Sequence, residues 1–152
     1  MARLGRLDIL INNTSIRLHS PIESLALADW HKVLRTILDG AFLCSQAAAP
    51  HLAKNGRGTI INTGGASSHV GGRNNLPVMT AKQGIIGLTR ALAHELGPKG
   101  INVNCVSPGT VDGPWVRRLI GQSDDPAATR AALERRQPLG RLVGPEEVAG
   151  QR

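Results

Sequence analysis

The chain has no tyrosine, one phenylalanine and two tryptophans among its 152 residues. Any mechanism that needs a tyrosine hydroxyl is thereby excluded, and the core has to be built from Ala, Val, Ile and Leu. Cysteine is nearly as scarce: Cys44 and Cys105 lie far apart, with no Cys-x-x-Cys or His/Cys ligand spacing. Neither a disulfide framework nor a zinc site is expected, and a reducing, cytoplasmic setting follows. His19, His31, His51 and His94 have no i,i+4 or His-x-His partner, so no metal site is expected from them either. Long apolar runs are also missing. Residues 1–8 hold no signal-peptide core, and no run approaches the roughly 20 residues of a membrane helix, so the expectation is a soluble protein without a membrane partner.

What is present fits one globular domain spanning residues 1–152, with 41% hydrophobic and 19% charged residues. The net charge of +7 favours anionic partners. The basic residues are nevertheless scattered, with short pairs only at Arg117-Arg118 and Arg135-Arg136 and no aromatic side chains between them to stack bases. They read as a solvated surface, and no nucleic-acid partner is expected.

Three short apolar runs, at residues 7–11, 59–62 and 101–106, are each followed by turn-forming residues and read as buried strands. Between the first two, Trp30, Val33, Leu34, Ile37, Leu38, Ala41 and Phe42 recur at helical spacing, predicting one helix from about Asp29, its N-cap, to Ala53, with Pro50 in its last turns. A second long helix is predicted over 78–96, stopped by Gly97-Pro98. Strand, helix, strand, helix, strand argues for a parallel α/β sheet. Beyond Ser107-Pro108-Gly109, shorter helices are expected near 115–121 and 126–136, and Pro145-Glu146-Glu147-Val148 opens another with acids suited to its dipole.

The segment Gly58-Thr59-Ile60-Ile61-Asn62-Thr63-Gly64-Gly65-Ala66-Ser67-Ser68-His69, then Thr80-Ala81-Lys82-Gln83-Gly84, then residues 101–109, resembles the short-chain dehydrogenases/reductases. Leu7-Asp8-Ile9-Leu10-Ile11-Asn12-Asn13 matches the family strand that ends in Asn-Asn-Ala-Gly, and residues 141–148 match a later segment, so the resemblance spans nearly the whole chain. It implies a partial Rossmann-like, doubly wound parallel sheet lacking the first strands, beginning near the family's fourth strand. It also implies NAD or NADP as cofactor, and hydride transfer to or from a carbonyl or alcohol of a small molecule. Cofactor contacts are implied at Asn12, Lys82, Pro108 and Gly109, with Lys82 holding the nicotinamide ribose hydroxyls.

Several residues depart from the family. No glycine-rich phosphate loop occurs in the sequence, so a truncated segment or partial gene product is expected. Of the catalytic Asn, Ser, Tyr and Lys, only Lys82 remains: Ile37 stands for the asparagine, Gly65 for the serine and Val78 for the tyrosine. Thr14-Ser15 replaces Ala-Gly, and Gly113 stands near a position where many members carry threonine. Losing a positioned acid/base group costs roughly 100- to 10,000-fold in rate. Ser67, Ser68 and His69 follow the strand that normally delivers the serine; Ser67 and His69 are the candidate substitutes, with turn-capping loop residues as the plainer reading. Cys44 and Cys105 are expected as packed thiols, and Gly64-Gly65 and Gly71-Gly72 as flexible loop residues.

Two functions follow. One is an oxidoreductase-type polypeptide whose altered site gives weak, unusual or no redox activity. The other is a non-catalytic interaction or assembly module on the same scaffold. A homo-oligomer through the two long helices is expected, as is an exposed edge at the first strand.

Overall fold

The computed structural model describes residues 5–54 and 56–150, and of Ser67 the backbone only. Two compact units make up the chain, one running to Ser107 and one from Pro108.

The first unit is built on three parallel strands, β1 (Ile9–Asn12), β2 (Gly58–Thr63) and β3 (Ile101–Val106), in the order β1-β2-β3. Ile9 pairs with Thr59, and Thr59 with Asn102; Asn12 pairs with Asn62, and Asn62 with Cys105. Parallel neighbours need crossovers of a dozen or more residues. The first crossover contains α1 (Leu27–Leu34), a π-helical turn (Arg35–Asp39) and α2 (Gly40–Ala53); the second contains α3 (Leu76–Leu96).

Both crossovers pack on the same face of the sheet. Ala48, Leu52, Ile60, Leu96, Ile101 and Val103 form one buried cluster between helices and strands. Each fully buried Leu or Ile contributes on the order of 1.5–3 kcal/mol. Alternation puts Ile9, Ile11, Asn102 and Asn104 on the opposite face, where all four are exposed. Ile9 and Ile11 are 56% and 61% exposed, on a strand that among the described residues has one neighbour in the sheet.

Two helix details differ from the sequence reading. The N-cap of α1 is Ala26, not Asp29, and Asp29 lies in the first helical turn. A carboxylate favours that turn as well as the cap, since both face the positive end of the helix dipole, so the same residue fits either place. The expected single helix over 29–53 is interrupted by the π turn. Val33, Ile37 and Ala41, spaced four apart, all enter one buried cluster, and the wider turn keeps that spacing on one side. Thr36 Oγ1 bonds back to the Lys32 carbonyl at 2.8 Å beside it.

The second unit holds α4 (Pro114–Gly121), α5 (Pro126–Arg135) and α6 (Pro145–Ala149). Asp125 caps α5 by accepting from Ala128 N at 2.9 Å. Gln137 clasps Thr110, accepting from its backbone N–H at 3.0 Å and donating to its hydroxyl at 2.9 Å. Glu147 takes two bonds from Arg141, at 2.7 and 2.8 Å, and one from Gly144 N at 2.7 Å, closing the start of α6. Those donors hold the Glu147 carboxyl down at about 2. Among the described residues, no helix is long and apolar enough to cross a membrane.

Candidate functional site

The carboxyl ends of parallel strands are where α/β sheets gather their ligands. Here β1 ends in Asn12, β2 in Thr63 and β3 in Val106. Asn12 Nδ2 donates to Asn62 Oδ1 at 2.8 Å, to Ser45 Oγ at 3.1 Å and to the Ala41 carbonyl at 3.4 Å. Asn62, wholly buried, passes the network on to Thr89 Oγ1 at 3.0 Å. The side-chain amide of Asn12 thus ties strand ends to α2 and, through Asn62, to α3.

Lys82 projects from α3 to the end of β2. It is only 6% exposed, and its Nζ donates to the Thr63 carbonyl at 2.6 Å. Burial pushes the ammonium below the usual lysine range; the Cys105 thiol opposes this, and the positive charge of Arg17 adds to it. An ammonium carries three N–H groups, and the Thr63 carbonyl takes one.

Ile37 and Val78 border this polar end: Ile37 lines a cavity together with Asn12 and Thr63, and Val78 lies one helical turn before Lys82 on α3. Ile37 and Val78, 2% and 3% exposed, pack into one cluster with Val33, Ala41, Ala81 and Ile85. Position 65 is closed to serine for another reason. Gly65 has φ 149° and ψ 169°, a region essentially reserved for glycine.

Gly64 is buried. A Cβ there would lie 2.7 Å from Ser107 Oγ, 2.9 Å from Ser68 Oγ and 3.0 Å from Cys105 Sγ. Gly64 and Gly65 lie in the loop after β2, as expected; three heteroatoms crowd the first glycine, and backbone geometry favours glycine at the second. His69 is exposed, and its Nε2 lies 3.2 Å from Ser107 Oγ. The side chain of Ser67 lies outside the described residues. Pro108 and Gly109 open the second unit, where Gly109 packs against the Gln137 side chain.

Ser107 and Cys105 were not singled out as site residues from sequence. The signal was strand register: Thr63 pairs with Val106, so the residues that follow β2 and β3 emerge side by side. Cys44, expected as a packed thiol, is exposed. The buried positions of α2 are Ala41, Ser45, Ala48 and Leu52, and residue 44 falls off that face. It borders a cavity of about 110 Å³ lined also by Asn12, Thr14, Thr36, Ile37 and Thr63.

Comparison with known proteins agrees with this geometry. Residues 1–151 match the family model described as enoyl-(acyl carrier protein) reductase. The chain belongs to the short-chain dehydrogenase/reductase family. It is 39% identical over 145 residues to the (2S)-[(R)-hydroxy(phenyl)methyl]succinyl-CoA dehydrogenase subunit BbsD of Thauera aromatica, covering 95% of this chain and 56% of that one. It is 33% identical to the 3-oxoacyl-[acyl-carrier-protein] reductase FabG of Thermotoga maritima, covering 97% and 57%. A gluconate 5-dehydrogenase of Burkholderia cenocepacia, solved with NADP and tartrate, superposes with a TM-score of 0.88 at 34% identity, covering 98% of this chain and 57% of that one. The chain thus spans little more than half the length of these relatives and resembles a C-terminal portion of the family's α/β fold.

After the Thr63 bond two N–H groups of Lys82 remain to donate, a donor set compatible with the hydroxyls of a nucleotide ribose. The 110 Å³ cavity beside Asn12 and Thr63 takes a small part of a ligand, far less than the roughly 300–1,000 Å³ of a whole ligand pocket.

Proposed function

We propose that this chain is the substrate-side portion of an NAD- or NADP-linked oxidoreductase acting on a small carbonyl or alcohol. In this reading Lys82 holds the nicotinamide ribose, and turnover is slow because Val78 offers no proton. The observation that carries it is the placement of Lys82, buried and fixed on the Thr63 carbonyl at the carboxyl end of the sheet. The cofactor, when bound, supplies or accepts the hydride. The protein's share is to orient that cofactor through Lys82 and to keep the strand ends in place through the Asn12–Asn62–Thr89 network. The test is a fluorescence titration of the native protein with NADH and NADPH. Binding that weakens about 10-fold or more in Lys82→Ala, a loss of roughly 1.4 kcal/mol, supports the proposal; no binding of either nucleotide by the native protein sinks it.

A second reading, a non-catalytic assembly module in the cytoplasm, is favoured by the burial of Ile37 and Val78 in one apolar cluster. It pairs the two long helices with a second copy of the chain; Phe42 and Leu43 on α2 and Leu76 on α3, 44%, 56% and 42% exposed, are large apolar side chains available for this. A strictly monomeric profile in light scattering would count against it.

A further inference from the structure

We propose that Ser107 and His69 form an acid–base dyad at the carboxyl end of the sheet, in which the imidazole takes and returns the proton of the serine hydroxyl. Their atoms are within hydrogen-bond reach, with Ser107 Oγ 3.2 Å from His69 Nε2. Gly64 N donates to the Val106 carbonyl at 2.8 Å and fixes the two strand ends against each other, so the pair is held by backbone on both sides. His69 is exposed and can exchange its proton with water, whereas Ser107 is half-buried.

A second observation points to an occupant at the same place. Among the described residues, Ser68, 2% exposed, has no hydrogen-bond partner for its hydroxyl, although buried polar groups rarely go unpaired. That hydroxyl and Ser107 Oγ both lie within 2.9 Å of the point where a Gly64 Cβ would stand, and Cys105 Sγ lies 3.0 Å from it. Lys82, bonded to the carbonyl of the preceding residue, sets a cation beside the cluster. This is an arrangement that favours proton loss from a hydroxyl.

The role assigned to the dyad rests on the oxidoreductase reading. When an alcohol is oxidised, its hydroxyl proton passes to Ser107 Oγ as the proton of Ser107 passes to His69 Nε2. The hydride, with its electron pair, leaves the substrate carbon for the nicotinamide nucleotide. In carbonyl reduction each transfer reverses. Residual turnover then runs through Ser107 in place of the missing tyrosine.

The test needs no nucleotide. Diisopropyl fluorophosphate is applied to the native protein and the modified peptide located by mass spectrometry. The Ser107 Oγ–P bond forms, the P–F bond breaks, fluoride leaves and the serine proton goes to His69. The expected result is modification at Ser107, slowed about 100-fold or more in His69→Gln, which can hold the hydroxyl in place but cannot take its proton. Circular dichroism of the variant checks that its fold is retained. No modification at Ser107, an equal rate in His69→Gln, or a rate no faster than at the exposed Ser15 would overturn the dyad. A failed dyad leaves nucleotide binding through Lys82 untouched, and failed nucleotide binding leaves this labelling result standing.

Discussion

Two parts of the same strand-end region have diverged in chemistry. On the helical side, Ile37 and Val78, which the family resemblance sets against asparagine and tyrosine, are both buried in one cluster with Val33, Ala41, Ala81 and Ile85. Around Gly64, by contrast, Ser68, Cys105 and Ser107 bring polar atoms within 3.0 Å of a single point, with Lys82 on the adjoining carbonyl. One part gains stability by excluding polar groups, and the other keeps groups that can bind or move protons. One helix, α3, thus carries both a buried lysine at the strand ends and a valine absorbed into the core.

The largest effect is expected where polarity is forced into the apolar part. Ile37→Asn removes a buried aliphatic side chain from the apolar cluster and should lower unfolding free energy by about 2–5 kcal/mol in a urea titration. A change within about 0.5 kcal/mol would mean that the position is wetter than its burial indicates.

On the polar side, Gly64→Ala drives a methyl against Ser107, Ser68 and Cys105, at an expected cost of about 1–3 kcal/mol. It should also displace Ser107 from His69, so the variant would lose fluorophosphate labelling at Ser107 while Ile37→Val keeps it. Gly65→Ser tests the adjacent backbone. Its φ of 149° should make the substitution cost about 1–3 kcal/mol, and restoring the family's serine alone should bring no gain in turnover.

The smallest effect lies outside both parts, at Glu147. Its carboxyl is held at about 2, below the ordinary 4.5, by Arg141 and the Gly144 N–H. The folded state therefore binds this proton less readily than the unfolded chain does. The contribution is fully present above pH 4.5 and is lost as pH falls toward 2. In Glu147→Gln that acid-dependent loss should disappear, which a pH series of melting curves would detect.

Most of the fold was legible in the sequence because β-branched runs at 7–11, 59–62 and 101–106 and the helical spacing of apolar residues leave few alternatives for the elements between. The π turn was not legible, since Val33, Ile37 and Ala41 fit an ordinary helix face almost as well. Lys82 stood out by its Thr-Ala-Lys-x-Gly context, but its bond to Thr63 depends on how α3 lies across β2. Ser107 read as part of a turn: what makes it more is the register between β2 and β3, which joins residues 38 apart in sequence, and single-chain patterns carry no such pairing. The family resemblance set Val78 and Ile37 against a tyrosine and an asparagine. That they fill one shared cluster became visible only in the packing.

The most direct test of the proposal that the site binds a nucleotide but lacks the tyrosine's proton is the turnover of the native protein, saturated with NADPH and offered a reactive diketone such as phenanthrenequinone. The expected result is nucleotide binding that depends on Lys82, together with turnover about 100- to 10,000-fold below the ordinary range of roughly 1–1,000 per second. Turnover within that ordinary range would contradict it, because Val78 would then have no bearing on the rate.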